Sequence, residues 1–114
     1  MAFTSTLELN GAFAHITLVG ELDASAAPQF RVSIEGAAAA NVKRLVLFMS
    51  DLSYMASAGL RSLVYAKQKM GSGVDIYMVG VQETVVETIE MTGFHNSVII
   101  VPTYDVAAQE SGGA

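Results

Sequence analysis

Residues 42–60 read Val-Lys-Arg-Leu-Val-Leu-Phe-Met-Ser-Asp-Leu-Ser-Tyr-Met-Ala-Ser-Ala-Gly-Leu, and they carry the strongest structural signal in the chain. Residues 42–49 form a short apolar run, which is typical of a strand buried on both faces. From residue 57 onward the apolar side chains keep helical spacing, at Leu60, Leu63, Val64 and Met70. The pattern therefore predicts a central strand at residues 42–49 and a helix at residues 57–70, with Ser57 at the helix start.

Similar signals predict the remaining elements. Asn10-Gly11 is a strong hairpin signal between two predicted strands, at residues 4–9 and 14–20. Further along, the patterns predict a helix at about 25–40, a strand at 74–79, a helix at 82–92 and a strand at 98–101, and residues 103–110 could form a short final helix. This order predicts an α/β fold, with a small mixed, mostly parallel sheet that opens with an antiparallel hairpin and is flanked by helices.

Length and composition describe one globular domain. The chain has 114 residues, of which 52% are hydrophobic and 15% are charged, so a buried core is amply supplied. We expect a single domain over residues 1–114, with a flexible tail over about residues 111–114. Helices of these lengths cannot cover both faces of so small a sheet, so we expect one face or edge to stay partly open for a partner.

Charge and cysteine content exclude several classes of function. A formal net charge of -5 opposes binding to nucleic acid or to an anionic membrane surface. The absence of cysteine excludes disulfides and thiolate metal sites and fits a reducing compartment, so we expect a cytoplasmic protein. No leader pattern and no apolar run of about 20 residues is present, so membrane insertion is not expected.

Ser57 has three interpretations from the residues alone: a helix cap, a nucleophile or a phosphate acceptor. Capping is the commonest role of a serine at a helix start. A serine hydrolase is disfavoured because Met55 stands where the Gly-x-Ser-x-Gly motif needs glycine. His15 and His95 are the only histidines, and both are more typical of an ordinary strand or loop residue than of a catalytic base.

The remaining polar residues predict no cofactor and no metal. Asp23 precedes a helix, where it would cap the first turn. Asp23 and Asp51 are two carboxylates without further ligand signals, so we predict no metal site. No Gly-Lys-Ser/Thr phosphate loop occurs, so the chain is not expected to bind ATP as an enzyme.

Three motifs resemble those of the STAS domain family, specifically its bacterial anti-sigma-factor antagonists. Residues 51–60 are similar to the signature Asp-Leu-Ser-Tyr/Phe-Met-Asp-Ser-Ser/Thr-Gly-Leu, in which the first serine of the pair is phosphorylated; that position is Ser57 here. Residues 20–23, Gly-Glu-Leu-Asp, resemble a family turn, and residues 91–94, Met-Thr-Gly-Phe, resemble its Met-Ser-Gly-Leu ending. The chain departs from the signature at Ala56 and Ala58, which replace polar residues on either side of the acceptor.

The resemblance implies a non-enzymatic partner switch. The unphosphorylated chain would bind an anti-sigma factor that is also a serine kinase of the histidine-kinase-like ATPase type, and so free the sigma factor. Phosphorylation of Ser57 would release the chain, and a serine phosphatase would restore binding. The partner-binding residues implied are Asp23, Tyr54, Met55, Ala56, Ala58, Gly59, Arg61 and Tyr65.

Two alternatives stay open. The changes at Ala56 and Ala58 are compatible with a non-switching STAS scaffold or a subunit of a transporter complex, in which Ser57 is only a helix cap. Without the resemblance, Arg61 and Tyr65 would be an ordinary solvated helix face; with it, an exposed tyrosine beside an arginine is typical of a contact hot spot.

Overall fold

The computed structural model describes residues 2–110, which form one five-stranded sheet in the order β1-β2-β3-β4-β5. An antiparallel hairpin joins β1 (Thr4–Asn10) to β2 (Phe13–Leu22). The other strands add in parallel: β3 (Arg44–Met55), β4 (Asp75–Val79) and β5 (Ile99–Val101). The predicted mixed, mostly parallel sheet is confirmed. The tail predicted at residues 111–114 lies outside the described residues.

The helices connect these strands in the predicted order. They are α1 (Ala27–Ala39), α2 (Ser57–Met70), α3 (Glu83–Met91) and α4 (Val106–Glu110), with a 3-10 turn at Phe94–Ser97 after α3. Pro28 lies in the first turn of α1, where its missing N–H and fixed φ do no harm. The short helix considered at residues 103–110 is present as α4.

One face of the sheet carries the hydrophobic core. Strand register places Leu7, Ile16, Leu47, Met78 and Ile100 in one row across all the strands. The three longer helices pack on this face, with fully or nearly fully buried side chains that include Phe30, Ile34, Leu63 and Ile89. The core therefore lies between a single sheet face and α1, α2 and α3.

The opposite face is covered much less. Its central row runs from Glu8 through His15, Val46 and Tyr77 to Ile99. Within residues 2–110, the segment around Tyr104 and α4 crosses this face, and Ile99 at the sheet edge stays 38% exposed. The sheet thus has one well-covered face and one partly open face, as its size suggested.

The central strand is longer than predicted. It was expected to end at residue 49, but β3 continues to Met55. Beyond Phe48, which pairs with the last residue of β4, β2 is the only strand of residues 2–110 that pairs with β3. Register shifts carry this pairing on to Leu22 and Met55. Polar side chains are tolerated in this extension because most of them face solvent, and the apolar run therefore ends before the strand does.

Candidate functional site

Ser57 is the first residue of α2 and is exposed. Ala56 takes the N-cap position, with an extended backbone (φ -79, ψ 169) and no side-chain cap bond. The Ala56 carbonyl accepts the hydrogen bond from the Leu60 N–H at 3.1 Å. The interpretation of Ser57 as the helix cap is therefore wrong by one position, because the backbone turns helical at the serine itself.

The Ser57 hydroxyl has no hydrogen-bond partner among residues 2–110. It stands in the first turn of a helix, where unpaired backbone N–H groups give a partial positive charge. A negatively charged group on this oxygen would be favoured there by roughly 0.3–1 kcal/mol. The geometry therefore suits a phosphate acceptor better than a structural serine.

The turn after β2 lies beside the start of α2. The Ala56 N–H donates to the Leu22 carbonyl at 2.9 Å, which ties the end of β2 to the end of β3. Asp23 follows immediately, and its Oδ1 accepts from the Ser25 hydroxyl at 2.8 Å and from the Ala26 N–H at 2.9 Å. These bonds lower the pKa of Asp23. Asp23 was expected to cap the first turn of the helix, but it caps the turn at residues 24–26 that precedes α1, and the N-cap of α1 is Ala26. Because the turn takes up residues 24–26, α1 begins two residues later than predicted.

The other residues around Ser57 divide into an exposed set and a buried set. Tyr54 is 50% exposed, and Ala56 and Ala58 are half-buried. Met55 is 4% exposed and Gly59 is buried. A Cβ added at Gly59 would lie 2.7 Å from the Leu22 Cγ, so this glycine allows α2 to pack closely on β2. Met55 and Gly59 thus shape the surface from beneath, whereas Tyr54 is directly accessible.

The environment of Tyr65 differs from the expected exposed position. Tyr65 is half-buried, and its hydroxyl donates to the Glu35 carboxylate of α1 at 2.9 Å. The Arg31 guanidinium lies 4.7 Å from the centre of its ring. The bond to Glu35 raises the pKa of Tyr65. The arginine that contacts this tyrosine is therefore Arg31, which the sequence did not single out, because the contact joins two different helices.

A groove of about 350 Å³ lies between the N-terminal halves of α1 and α2. Ala58, the residue after Ser57, is part of its lining. The lining residues are Ala24, Ala27, Pro28, Arg31, Ala58, Arg61 and Ser62. Arg61 is exposed, as predicted. The groove combines small apolar side chains with two guanidinium groups next to the exposed serine.

His15 is half-buried and is bound to a carboxylate at the opposite end of β2. Its Nε2 lies 2.7 Å from the Glu110 Oε2, and the Glu110 side chain is only 3% exposed. Glu110 also accepts hydrogen bonds from Asn10 and Tyr104. This cluster fastens α4 to the sheet, and no local pattern in the sequence indicates it. Within the part of the chain that the structure describes, no group of three or more histidine, aspartate or glutamate side chains could hold a metal ion.

The sheet order, the hairpin at its edge and the exposed serine at a helix start define a small mixed α/β domain with a serine-centred surface. The chain belongs to the STAS domain family, whose model matches residues 5–107. No curated protein sequence matches it. None of the helices within residues 2–110 has the length and hydrophobicity to cross a membrane.

Solved structures of anti-sigma-factor antagonists share the fold. One from Mycobacterium paratuberculosis is 24% identical with a TM-score of 0.83, and the match covers 94% of this chain and 92% of that one. SpoIIAA in its unphosphorylated form is 19% identical with a TM-score of 0.72, covering 94% of each chain. The Bacillus cell fate determinant SpoIIAA in its phosphorylated form is 21% identical with a TM-score of 0.68, covering 87% of this chain and 92% of that one.

Proposed function

We propose that this protein is an anti-sigma-factor antagonist that works by partner switching in the cytoplasm and controls transcription. Unphosphorylated, it binds an anti-sigma factor that is also a serine kinase of the histidine-kinase-like ATPase type, and the sigma factor is freed. Phosphorylation of Ser57 ends the complex, and a serine phosphatase reverses it. The protein acts as a binding partner and kinase substrate, without catalysis of its own.

The observation that carries this proposal is the state of Ser57. Its hydroxyl is exposed, has no hydrogen-bond partner among residues 2–110 and stands at the positive end of α2. A kinase therefore has access to the oxygen without breaking an internal contact. A phosphorylated form exists of SpoIIAA, which shares the fold, and this supports control by phosphorylation.

The surface around Ser57 supplies the contact area. Tyr54 offers an exposed aromatic ring three residues before the serine, and Asp23 lies at the same end of the sheet. Arg61 extends the surface along α2, while Met55 and Gly59 fix its shape from beneath. A phosphate of about two negative charges placed in this surface costs desolvation and like-charge repulsion at an interface unless a cation of the partner opposes it. One hydroxyl can therefore control the complex.

A non-switching STAS scaffold remains the second candidate because of Ala56 and Ala58. Both are half-buried beside Ser57 and leave its hydroxyl without a polar neighbour in adjacent positions. A scaffold would use the same surface without phosphate transfer. The two functions therefore differ in whether a co-encoded kinase phosphorylates Ser57.

The test combines phosphate mapping with binding. The protein is incubated with ATP and the co-encoded kinase, and the modified residue is located by fragment mass spectrometry, with Ser57→Ala and Ser72→Ala compared. Ser72 is an exposed serine in the loop after α2, so its variant is a matched control. We expect phosphate on Ser57 in the parent and in S72A, and none in S57A. If neither the parent nor S72A received phosphate from the kinase, that result would favour the scaffold.

Binding of the anti-sigma factor is then measured for S57A and Ser57→Asp. We expect S57A to bind like the parent and S57D to bind more weakly. Because Ser57 is not the N-cap, S57A should also keep its stability within about 0.5 kcal/mol of the parent. Equal affinities of S57A and S57D would contradict the switch.

A further inference from the structure

Two of the chain's six lysine and arginine residues line the groove beside Ser57, although the chain as a whole is acidic. Among residues 2–110, neither Arg31 nor Arg61 forms an ion pair with a carboxylate. Arg31 packs on the face of the Tyr65 ring, and Arg61 is exposed. The groove therefore holds two guanidinium groups, neither of which is ion-paired with a carboxylate of the described residues.

Helix geometry directs Arg61 toward the serine. Residues four apart lie on the same face of a helix, with Cβ atoms roughly 5–6 Å apart. Side chains on a helix also lean toward its N-terminus, and this tendency directs Arg61 toward the first turn, which Ser57 begins. A group added to the Ser57 oxygen is within reach of this side chain.

The second arginine is held in place across the groove. Arg31 lies on α1, packed 4.7 Å from the Tyr65 ring centre, and Tyr65 is in turn bound to Glu35 at 2.9 Å. This packing limits the rotamers of Arg31, so less entropy is lost when it binds an anion. Ala24, Ala27 and Ala58 keep the space between the two arginines open.

We propose that this groove is the receptor for the protein's own phosphoserine: Arg61, together with Arg31, binds the phosphate carried by Ser57. Guanidinium groups suit this role because their planar N–H donors match phosphate oxygens. The phosphorylated protein would then be a distinct form, with its phosphate turned into the α1–α2 groove and both arginines occupied. This inference rests on the proposed modification of Ser57.

The experiment installs phosphoserine at position 57 during translation, so no kinase is needed. The second pKa of the phosphate is measured by ³¹P NMR titration in the folded protein and in the same protein unfolded in urea, where it should lie near the ordinary value of about 6. The variants compared are Arg61→Gln, Arg31→Gln and the control Lys69→Gln. Lys69 is an exposed cation near the other end of α2, so its variant makes the same change in net charge.

We expect the folded phosphate to have a lower second pKa than the unfolded one, because nearby guanidinium groups favour the dianion. R61Q should increase the proton affinity of the phosphate about threefold or more, R31Q should change it in the same direction, and K69Q should leave it unchanged. An R61Q titration that matches that of K69Q would overturn the proposal, and an R31Q titration that matches K69Q would overturn the two-arginine site. Circular dichroism of each variant establishes that the fold is kept.

This result is separable from the proposed function. If no kinase phosphorylates Ser57 but the titration shows the R61Q effect, the partner switch fails and the groove stands. If the kinase acts but R61Q and K69Q titrate alike, the switch stands and the groove fails.

Discussion

Replacement of the buried Glu110 by glutamine should loosen the C-terminal helix from the sheet. The Glu110 Oε2 accepts hydrogen bonds from the Tyr104 hydroxyl and from His15 Nε2, each at 2.7 Å, and its Oε1 accepts from the Asn10 amide at 2.8 Å. Glutamine keeps the shape of the side chain but has only one acceptor oxygen. With that oxygen placed toward Tyr104 and His15, its NH₂ group would face the NH₂ donor of Asn10.

The size of the effect follows from these contacts. Hydrogen bonds to a charged group contribute roughly 1.5–3 kcal/mol and neutral ones roughly 0.5–1.5 kcal/mol. Glu110→Gln weakens two bonds and loses a third in a site where the side chain is 3% exposed. These bond terms amount to roughly 3.5–6 kcal/mol, but burying a neutral glutamine costs less than burying a carboxylate. This difference offsets about half of the bond terms, so we expect a net loss of about 2–3 kcal/mol in the free energy of unfolding. For a chain of this length that loss corresponds to a Tm lower by about 8–12 °C.

The assay is thermal and urea unfolding of E110Q beside the control Glu87→Gln. Glu87 is an exposed carboxylate on α3, so its variant should stay within about 0.5 kcal/mol of the parent. Amide hydrogen exchange should also accelerate in α4 of E110Q, because the helix is only five residues long and depends on this anchor. If E110Q and E87Q melted within about 2 °C of each other, the Glu110 cluster would contribute no net stability, contrary to this expectation.

Two further results are expected. Burial alone would raise the pKa of Glu110, but its hydrogen bonds from Tyr104, His15 and Asn10 outweigh burial and lower it. The stabilisation by Glu110 is therefore complete above the ordinary glutamate pKa of 4.5 and is lost as the pH falls through the lower pKa of the folded state. Urea unfolding of the parent and E110Q from about pH 3 to pH 7 should show the difference in their free energies of unfolding shrinking at the acid end. Gly59→Ala should destabilise the protein by about 1–2 kcal/mol, because its Cβ would lie 2.7 Å from the Leu22 Cγ. The control Gly73→Ala, which has no atom within 4 Å of its Cβ, should be nearly neutral. A G59A protein as stable as G73A would show that Leu22 repacks freely.

Local sequence patterns were sufficient to predict the order of strands and helices. Each element buries one face, and the buried apolar residues therefore recur with the periodicity of a strand or of a helix. The end of β3 was not predictable in this way. Its last residues are mostly polar, and they remain in a strand because β2 continues beside them through shifts in register up to Met55. The role of Ser57 as a cap was misjudged by one residue, since sequence shows which polar residue is near a helix start but not where the backbone changes conformation.

Contacts between distant residues account for the remaining differences. Glu110 is separated from His15 and Asn10 by 95 and 100 positions, and a buried glutamate so near the end of the described chain has no local signature. Tyr65 looked like a free surface residue because its partners, Arg31 and Glu35, belong to another helix. In both cases the polar side chain is satisfied by tertiary structure alone.

The Glu110 cluster and the Ser57 surface lie at opposite ends of β2. His15 near the start of this strand binds Glu110, whereas Leu22 at its end accepts the hydrogen bond from Ala56 beside Ser57. At roughly 3.3 Å per residue, the two positions are separated by about 23 Å along the strand. Charges exposed to water are largely screened over such a distance. A phosphate can therefore be added and removed at Ser57 without electrostatic repulsion of the Glu110 carboxylate that holds α4. Stability and switching thus depend on opposite ends of the same strand.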